Sequence, residues 1–342
     1  MRTLPGFVGA FWPEPDDELL LHAALGDEET AIAAWTALAP RFDLDTVGWP
    51  HHRLVPLLGR NLAALGVDAT DLARMQGVRR RTWSENQLWL KEAERVLSVL
   101  ADAEVSTLLL NSVALLTAFY DDSGVRPMLG VDILVNDRPR ALRALAATTP
   151  STTAAGRAVD IHGDISGLAI RGDSHQWDDF WAASSTAVVG PAKTRLPDPA
   201  DLLLHVCVHG SQRRVDSYLQ WVADATAIIR SSAIDWDRLV RQAQLRHAVL
   251  ATSETLTYLS SRFAVPVPPP ILDRLRTTPT TRRDRVVYRA RSRVEQESRQ
   301  LNLPARVFWD YARASADRTA TGAVIGFVPH LTKRLRERVR AA

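Results

Sequence analysis

Cysteine occurs once in the 342 residues, at Cys207, and lysine three times, at Lys91, Lys193 and Lys333. A single thiol excludes an internal disulfide framework and any zinc site built from clustered cysteines. So few lysines leave little room for Schiff-base or phosphate-loop lysine mechanisms. Neither G-x-x-x-x-G-K-[ST] nor G-x-G-x-x-G occurs. No G-x-S-x-G elbow is present either, so the His209-Gly210-Ser211 run lacks the strained turn that exposes a hydrolase serine. No stretch approaches the ~18 uninterrupted apolar residues of a membrane helix. The most apolar segment, 105–120, is broken by Ser106, Thr107, Asn111, Ser112 and Thr117. The N-terminus carries Glu14, Asp16, Asp17 and Glu18 where a signal peptide would be basic and then apolar. The expectation is a soluble, cytoplasmic protein with no membrane partner.

Excess charge of one sign is also missing. Lys+Arg total 42 and Asp+Glu 39, a net +3, which excludes a protein that coats polyanions through bulk charge. Hydrophobic residues at 46% and charged residues at 24% exclude a disordered or collagen-like chain. A chain of this length buries a core without covalent staples. No internal repeat is visible.

Three textures follow one another. Residues 1–100 form an N-terminal helical region: apolar residues recur at three-and-four spacing over 18–25, 28–38, 57–65 and 72–100. Residues 101–195 read as an α/β core. Short apolar runs at 105–110, 131–135 and 158–162 suit strands, and 167–170 suits a fourth. Helical patterns at 112–120 and 138–147 lie between them. Residues 196–342 form a C-terminal helical domain, with helices expected over 200–210, 212–231, 235–246 and 249–263 and a proline-rich break at 265–270.

Chemistry concentrates in the α/β core. Asp132 interrupts the apolar strand Gly130-Val131-Asp132-Ile133-Leu134-Val135, and Asp160 interrupts Val159-Asp160-Ile161-His162. A carboxylate inside an apolar strand is costly unless it is paired or holds a metal. If the two strands are neighbours, the acids face a common point and can hold a hard divalent cation such as Mg²⁺. The plainer alternative is a pair of strand-end acids that cap loops or meet arginines. His162 shares the strand face of Asp160. It is a candidate general base or substrate contact, or else a hydrogen-bonded strand-end histidine.

Several segments together carry a resemblance: Leu108-Leu109-Leu110-Asn111-Ser112-Val113-Ala114-Leu115, Tyr120, Arg126-Pro127-Met128, Val131 to Val135, and Val159-Asp160-Ile161-His162. In the helical half, Leu196 to His205, His209-Gly210, Gln220-Trp221-Val222-Ala223-Asp224 and Asp235-Trp236 add to it. The pattern resembles the uncharacterised nucleotidyltransferase family of the polymerase-β-like superfamily over roughly residues 95 to 260. The resemblance implies an α+β fold, a minimal nucleotidyltransferase mixed-sheet core flanked by N- and C-terminal helical regions. In that superfamily three strand carboxylates bind two Mg²⁺ ions, and a nucleotidyl group passes from an NTP to an acceptor oxygen with release of pyrophosphate. By the resemblance, Asp132 matches the second carboxylate and Asp160 the third. Ser112 falls at the turn where helix-start N–H groups cradle phosphate. Arg126 is placed to neutralise phosphate or to serve as an ion-pair partner.

The chain departs from the family pattern at three places. Gly130 stands where the first carboxylate belongs, Asn111 where the family has lysine, and Ser112 where it has glycine. Asp121, Asp122 and Asp164 are the acids available to compensate. Two readings result. In the first, the protein is an Mg²⁺-dependent nucleotidyltransferase with a partly degenerate site. Asp132 and Asp160 hold metal, and Asn111, Ser112 and Arg126 contact the phosphates of an NTP such as ATP; the acceptor is a small molecule or peptide. In the second, the scaffold is catalytically inactive or repurposed and binds a nucleotide, peptide or small molecule.

His205 and His209 lie four apart on one expected helix, which is metal-ligand spacing, although the run is not H-E-x-x-H. Cleft lining is the simpler role for them, with Asp224 on the next helix placed to orient one ring. Cys207 sits on an apolar helix face and makes a poor nucleophile. The C-terminal stretch from His330 to Arg340 reads as a basic amphipathic helix, either solvated or able to bind nucleic acid. The Trp residues are spread along the chain, which suits packing and not a stacking platform for single strands.

Overall fold

The helical and strand signals become distinct elements in the computed structural model of the chain, which describes residues 12–68, 70–148, 159–165, 167–169, 175–212 and 219–292. Helices α1 (Pro15–Leu25), α2 (Glu28–Leu38), α3 (Trp49–His52), α4 (Val55–Ala64) and α5 (Leu72–Asp102) come first. Local chemistry sets their starts. Asp27 accepts from Thr30 N at 3.0 Å to cap α2, and Asp17 accepts from Glu14 N at 3.0 Å in the first turn of α1, which Pro15 opens. At 31 residues, α5 runs about 46 Å and packs along the sheet region.

The sheet follows as β1 (Thr107–Leu110), α6 (Asn111–Phe119), β2 (Val131–Val135), α7 (Arg138–Thr148), β3 (Val159–His162), α8 (Asp178–Ala183), β4 (Ser185–Val189) and β5 (Ala192–Leu196). Its five strands lie in the order β3-β2-β1-β5-β4. The pairs β2/β3 and β1/β5 are parallel, and β1/β2 and β4/β5 are antiparallel. The fold is therefore α+β with a mixed sheet, as the resemblance implied. Helices α9 (Pro199–Gly210), α10 (Gln220–Ser231), α11 (Trp236–Leu245), α12 (Val249–Phe263), α13 (Pro269–Thr277) and α14 (Arg282–Ser292) complete the described chain. One contiguous hydrophobic core reaches from Leu20 in α1 to Tyr288 in α14. Among the described residues no helix is long and apolar enough to cross a membrane.

Two register facts position the site. Asp132 lies opposite Leu110 on one side and Asp160 on the other, so both acids occupy the same row of the sheet. Their neighbours Leu109, Ile133 and Ile161 form the next row and are buried on the opposite face. The strand alternation therefore drives the aliphatic row inward and turns Asp132, Asp160 and His162 to one common face.

The structure corrects some expectations. Residues 167–169 form no strand: Gly167 and Leu168 lie in a turn closed by Leu168 N to Ile165 O at 3.1 Å, with Leu168 buried, and Ile170 lies outside the described residues. The helix expected over 212–231 is described only from Gln220, since 213–218 fall outside the described residues. The basic stretch at 330–340 also lies outside them. The β4/β5 hairpin was not foreseen. It turns at Gly190, whose φ of +56° is natural for glycine. At the end of α9, Gly210 lies against the Trp221 ring of α10; a Cβ there would collide with it. That close approach packs the two helices that close the site.

Candidate active site

A cavity of about 380 Å³ opens between the sheet edge and helices α9 and α10. Its wall includes Asn111, Ser112, Arg126, Asp132, Asp160, His162, His205, His209 and Asp224. Gly130 and Asp164 line it as well.

Asp132, Asp160 and His162 form the centre. Each offers one ligand atom such that the three atoms lie within 4.8 Å of one another. The His162 Nε2 is 2.8 Å from Asp132 Oδ1. Asp132 is largely buried, and burial alone would raise its carboxyl. Hydrogen bonds from His162 and Asn111 outweigh that and hold it below the usual carboxylate range. The acid is therefore ionised and ready to meet a cation. Asp160 is exposed at the mouth of the cavity. Between Asp160 and His162, the carbonyl of Ile161 accepts from Arg138 Nε at 2.9 Å, which pins the β3 backbone.

Asn111 and Ser112 stand where β1 ends and α6 begins. Asn111 has φ +44°, a left-handed conformation that asparagine tolerates better than most side chains. The start of α6 at Asn111 and Ser112 thus lines the cavity, and a helix start favours an anion. Ser112 is buried beside it.

Of the two roles open to Arg126, the structure shows the ion-pair partner. Its Nε donates to Asp224 Oδ1 at 2.6 Å and one Nη donates to Oδ2 at 2.9 Å, with both side chains buried. The Tyr120 hydroxyl donates to the same Oδ1 at 2.8 Å. Asp224 is thus committed to Arg126 and Tyr120 and does not orient a histidine. The pair ties the loop before β2 to α10, because a bidentate guanidinium–carboxylate contact fixes both partners. The other nitrogen, Arg126 Nη1, is buried without a hydrogen-bond partner.

His205 and His209 project from α9 with ring centroids 6.3 Å apart. Burial pushes His205 down to about 3, so its imidazole is neutral at ordinary pH. Cys207 faces away from the cavity, and burial pushes its thiol up to about 12, which leaves it unreactive.

The compensating acids separate. Asp164 lines the cavity, but its Oδ1 already accepts from Gln176 Nε2 at 2.9 Å and Trp177 Nε1 at 3.1 Å. Asp122 holds Arg79 at 2.6 Å and Gly124 N at 2.7 Å, and neither Asp121 nor Asp122 lines the cavity. Among the polar and aromatic residues of the wall, sequence reasoning missed Arg53, Gln212, Gln220 and Trp221. Gln220 and Trp221 stood inside a quoted segment and were available to it. Arg53 reaches the wall from the N-terminal helices, with Nη2 to Pro127 O at 3.4 Å, a contact across 74 residues that no local pattern signals.

The sequence profile of the uncharacterised nucleotidyltransferase family matches residues 50–264. The chain belongs to this nucleotidyltransferase family. The match takes in α4 to α12, and so the whole sheet and the whole cavity wall. No curated protein and no solved structure matches the chain. Membership supports a general nucleotidyltransferase type of function, and the acid–histidine cluster at the centre of the cavity is a candidate metal-holding group.

Proposed function

We propose that the protein moves a nucleotidyl group from an NTP, with ATP the first to test, to a hydroxyl of a small-molecule or peptide acceptor, with a divalent cation such as Mg²⁺ as cofactor. The observation that carries this is the juxtaposition of Asp132, Asp160 and His162 with the start of α6 in one cavity. The donor set fits a divalent cation: an ionised carboxylate, an exposed one and an imidazole converge from neighbouring strands. Such an ion supplies charge stabilisation at phosphoryl oxygens.

The chain's own residues do the rest. The backbone at Asn111 and Ser112 receives the triphosphate at the helix start. Arg126 Nη1 is the buried donor left over for a phosphate oxygen. The acceptor hydroxyl attacks the α-phosphorus, the bond to the β-phosphate oxygen breaks, pyrophosphate leaves, and Asp160 at the open mouth takes the hydroxyl proton.

Gly130 favours a second reading, in which the scaffold binds its ligand without turning it over. Titration with NTPs by calorimetry, with and without Mg²⁺, separates the two. The first reading expects cation-dependent NTP binding that Asp132→Ala abolishes. Binding that ignores both the cation and that substitution would remove Asp132 from the site. No binding of any NTP would favour the second reading. In that case Gly130→Asp with Asn111→Lys would not raise activity.

A further inference from the structure

The centre of the cavity has glycine at 130, where the family resemblance expects a carboxylate, and has His162 on the same face of the sheet as Asp132 and Asp160. We propose that His162 is a direct metal ligand, so that Asp132, Asp160 and His162 form a mixed nitrogen–oxygen site selecting a transition-type divalent cation, represented by Mn²⁺, over Mg²⁺. This rests on the reading that the cluster holds a divalent cation.

The geometry argues for it in three steps. First, His162 lies diagonally across from Asp132: Asp132 pairs with Asp160 in the parallel register, and His162 is two residues farther along the same face. Its Nε2 already stands 2.8 Å from Asp132 Oδ1. Second, donors around one cation lie about 3–4 Å apart when each bond is about 2.1 Å. The three ligand atoms here lie within 4.8 Å of one another, so a small contraction gathers them round a single cation. Third, the ring is held in place by its strand. Ile161 is buried on the opposite face and its carbonyl is bonded to Arg138, so β3 cannot roll to carry His162 away from Asp160.

Donor chemistry then sets the preference. Mg²⁺ takes oxygen ligands and gives up water reluctantly. Imidazole suits first-row transition ions, whose affinity for a nitrogen-containing site rises along the series beginning with Mn²⁺. A site of two carboxylates and one imidazole also carries less negative charge than one of three carboxylates, which weakens the hold on a hard cation more than on a softer one. With glycine at 130, the ligand atoms within reach of Asp132 are the Asp160 carboxylate and the His162 imidazole.

The test uses the full-length protein stripped of metal and titrated with Mn²⁺, without nucleotide, followed by the electron paramagnetic resonance signal of free Mn²⁺. Mg²⁺ is then added as competitor. The wild type should bind Mn²⁺, and its spin-echo spectrum should show coupling to a directly bound imidazole nitrogen that His162→Ala removes. His162→Ala should weaken Mn²⁺ binding roughly tenfold or more and erase the preference over Mg²⁺. His162→Asp, which restores a third carboxylate, should bind again with the preference moved toward Mg²⁺. Circular dichroism confirms that each variant is folded, and the wild-type nitrogen coupling stands as a test if a variant is not. Absence of Mn²⁺ binding, absence of nitrogen coupling, or an equal loss of both metals in His162→Ala would overturn the proposal. The last outcome would leave His162 as a residue that only positions Asp132, with the nucleotidyltransferase reading intact. Mn²⁺ bound through nitrogen by a protein that then binds no NTP would support the proposal and remove the reading of function.

Discussion

Replacing Asp224 with alanine removes the carboxylate on which the cavity's α10 wall is hung. Arg126 and Asp224 side chains are 4% and 6% exposed, so the guanidinium has little water to turn to. The substitution deletes two hydrogen bonds to Arg126, at 2.6 and 2.9 Å, and the one that accepts from Tyr120 at 2.8 Å. It leaves a buried cation whose third nitrogen already lacks a partner. Breaking a buried pair by removing one partner costs about 3–5 kcal/mol, because the surviving charge stays desolvated. At about 2–3 °C per kcal/mol for a domain of this size, the melting temperature should fall by roughly 6–15 °C. The cost lies in the orphaned charge, so Arg126→Met combined with Asp224→Leu should be much milder, about 1 kcal/mol. Denaturant titration of the wild type, Arg126→Met, Asp224→Leu and the double variant completes the cycle and gives a coupling of roughly 2 kcal/mol or more. An Asp224→Ala protein within about 1 kcal/mol of wild type, or a double variant no better than the single, would refute the claim that this pair is a dry clamp.

Two further outcomes follow from buried groups. Cys207, fully buried with its thiol pushed up to about 12, should resist a thiol-reactive probe at pH 8 in the native protein and react fully in denaturant; fast native labelling would show that α9 opens locally. His205 is held near 3 in the folded protein, mainly by burial, against 6.5 when unfolded. Below pH 6.5 the unfolded chain therefore takes up a proton that the folded one refuses, and stability is lost as pH falls from about 6.5 toward 3. Denaturant midpoints at pH 7 and pH 5 should differ less for His205→Gln than for wild type, and an unchanged difference would show that His205 is solvated.

The parts of the site legible in the sequence are those that depend on local periodicity. A strand of period two places Asp160 and His162 on one face whatever the rest of the fold does. An acid inside Val-Asp-Ile-Leu-Val stands out because its neighbours are so apolar. What could not be read from spacing was the parallel register that sets Asp132 against Asp160, since a shift of one residue would have faced them apart. The β4/β5 hairpin escaped because Ser185, Thr186 and Val188 face solvent and its strands carry no apolar run to compare with β2. Residues 167–170 misled for the opposite reason: buried Leu168 reads as a strand residue, yet a turn delivers it to the core. Arg126 shows how far chemistry by residue type reaches. An arginine beside a phosphate-binding motif and an arginine in a buried ion pair look alike until its partner is known, and Asp224 lies 98 residues away. The same limit governs Gly130. The resemblance leads one to expect a carboxylate at Gly130, but only the sheet register shows that an imidazole stands within 2.8 Å of Asp132. Whether the family's chemistry survives in this chain therefore turns on what that nitrogen does when a cation arrives, and not on the count of acids.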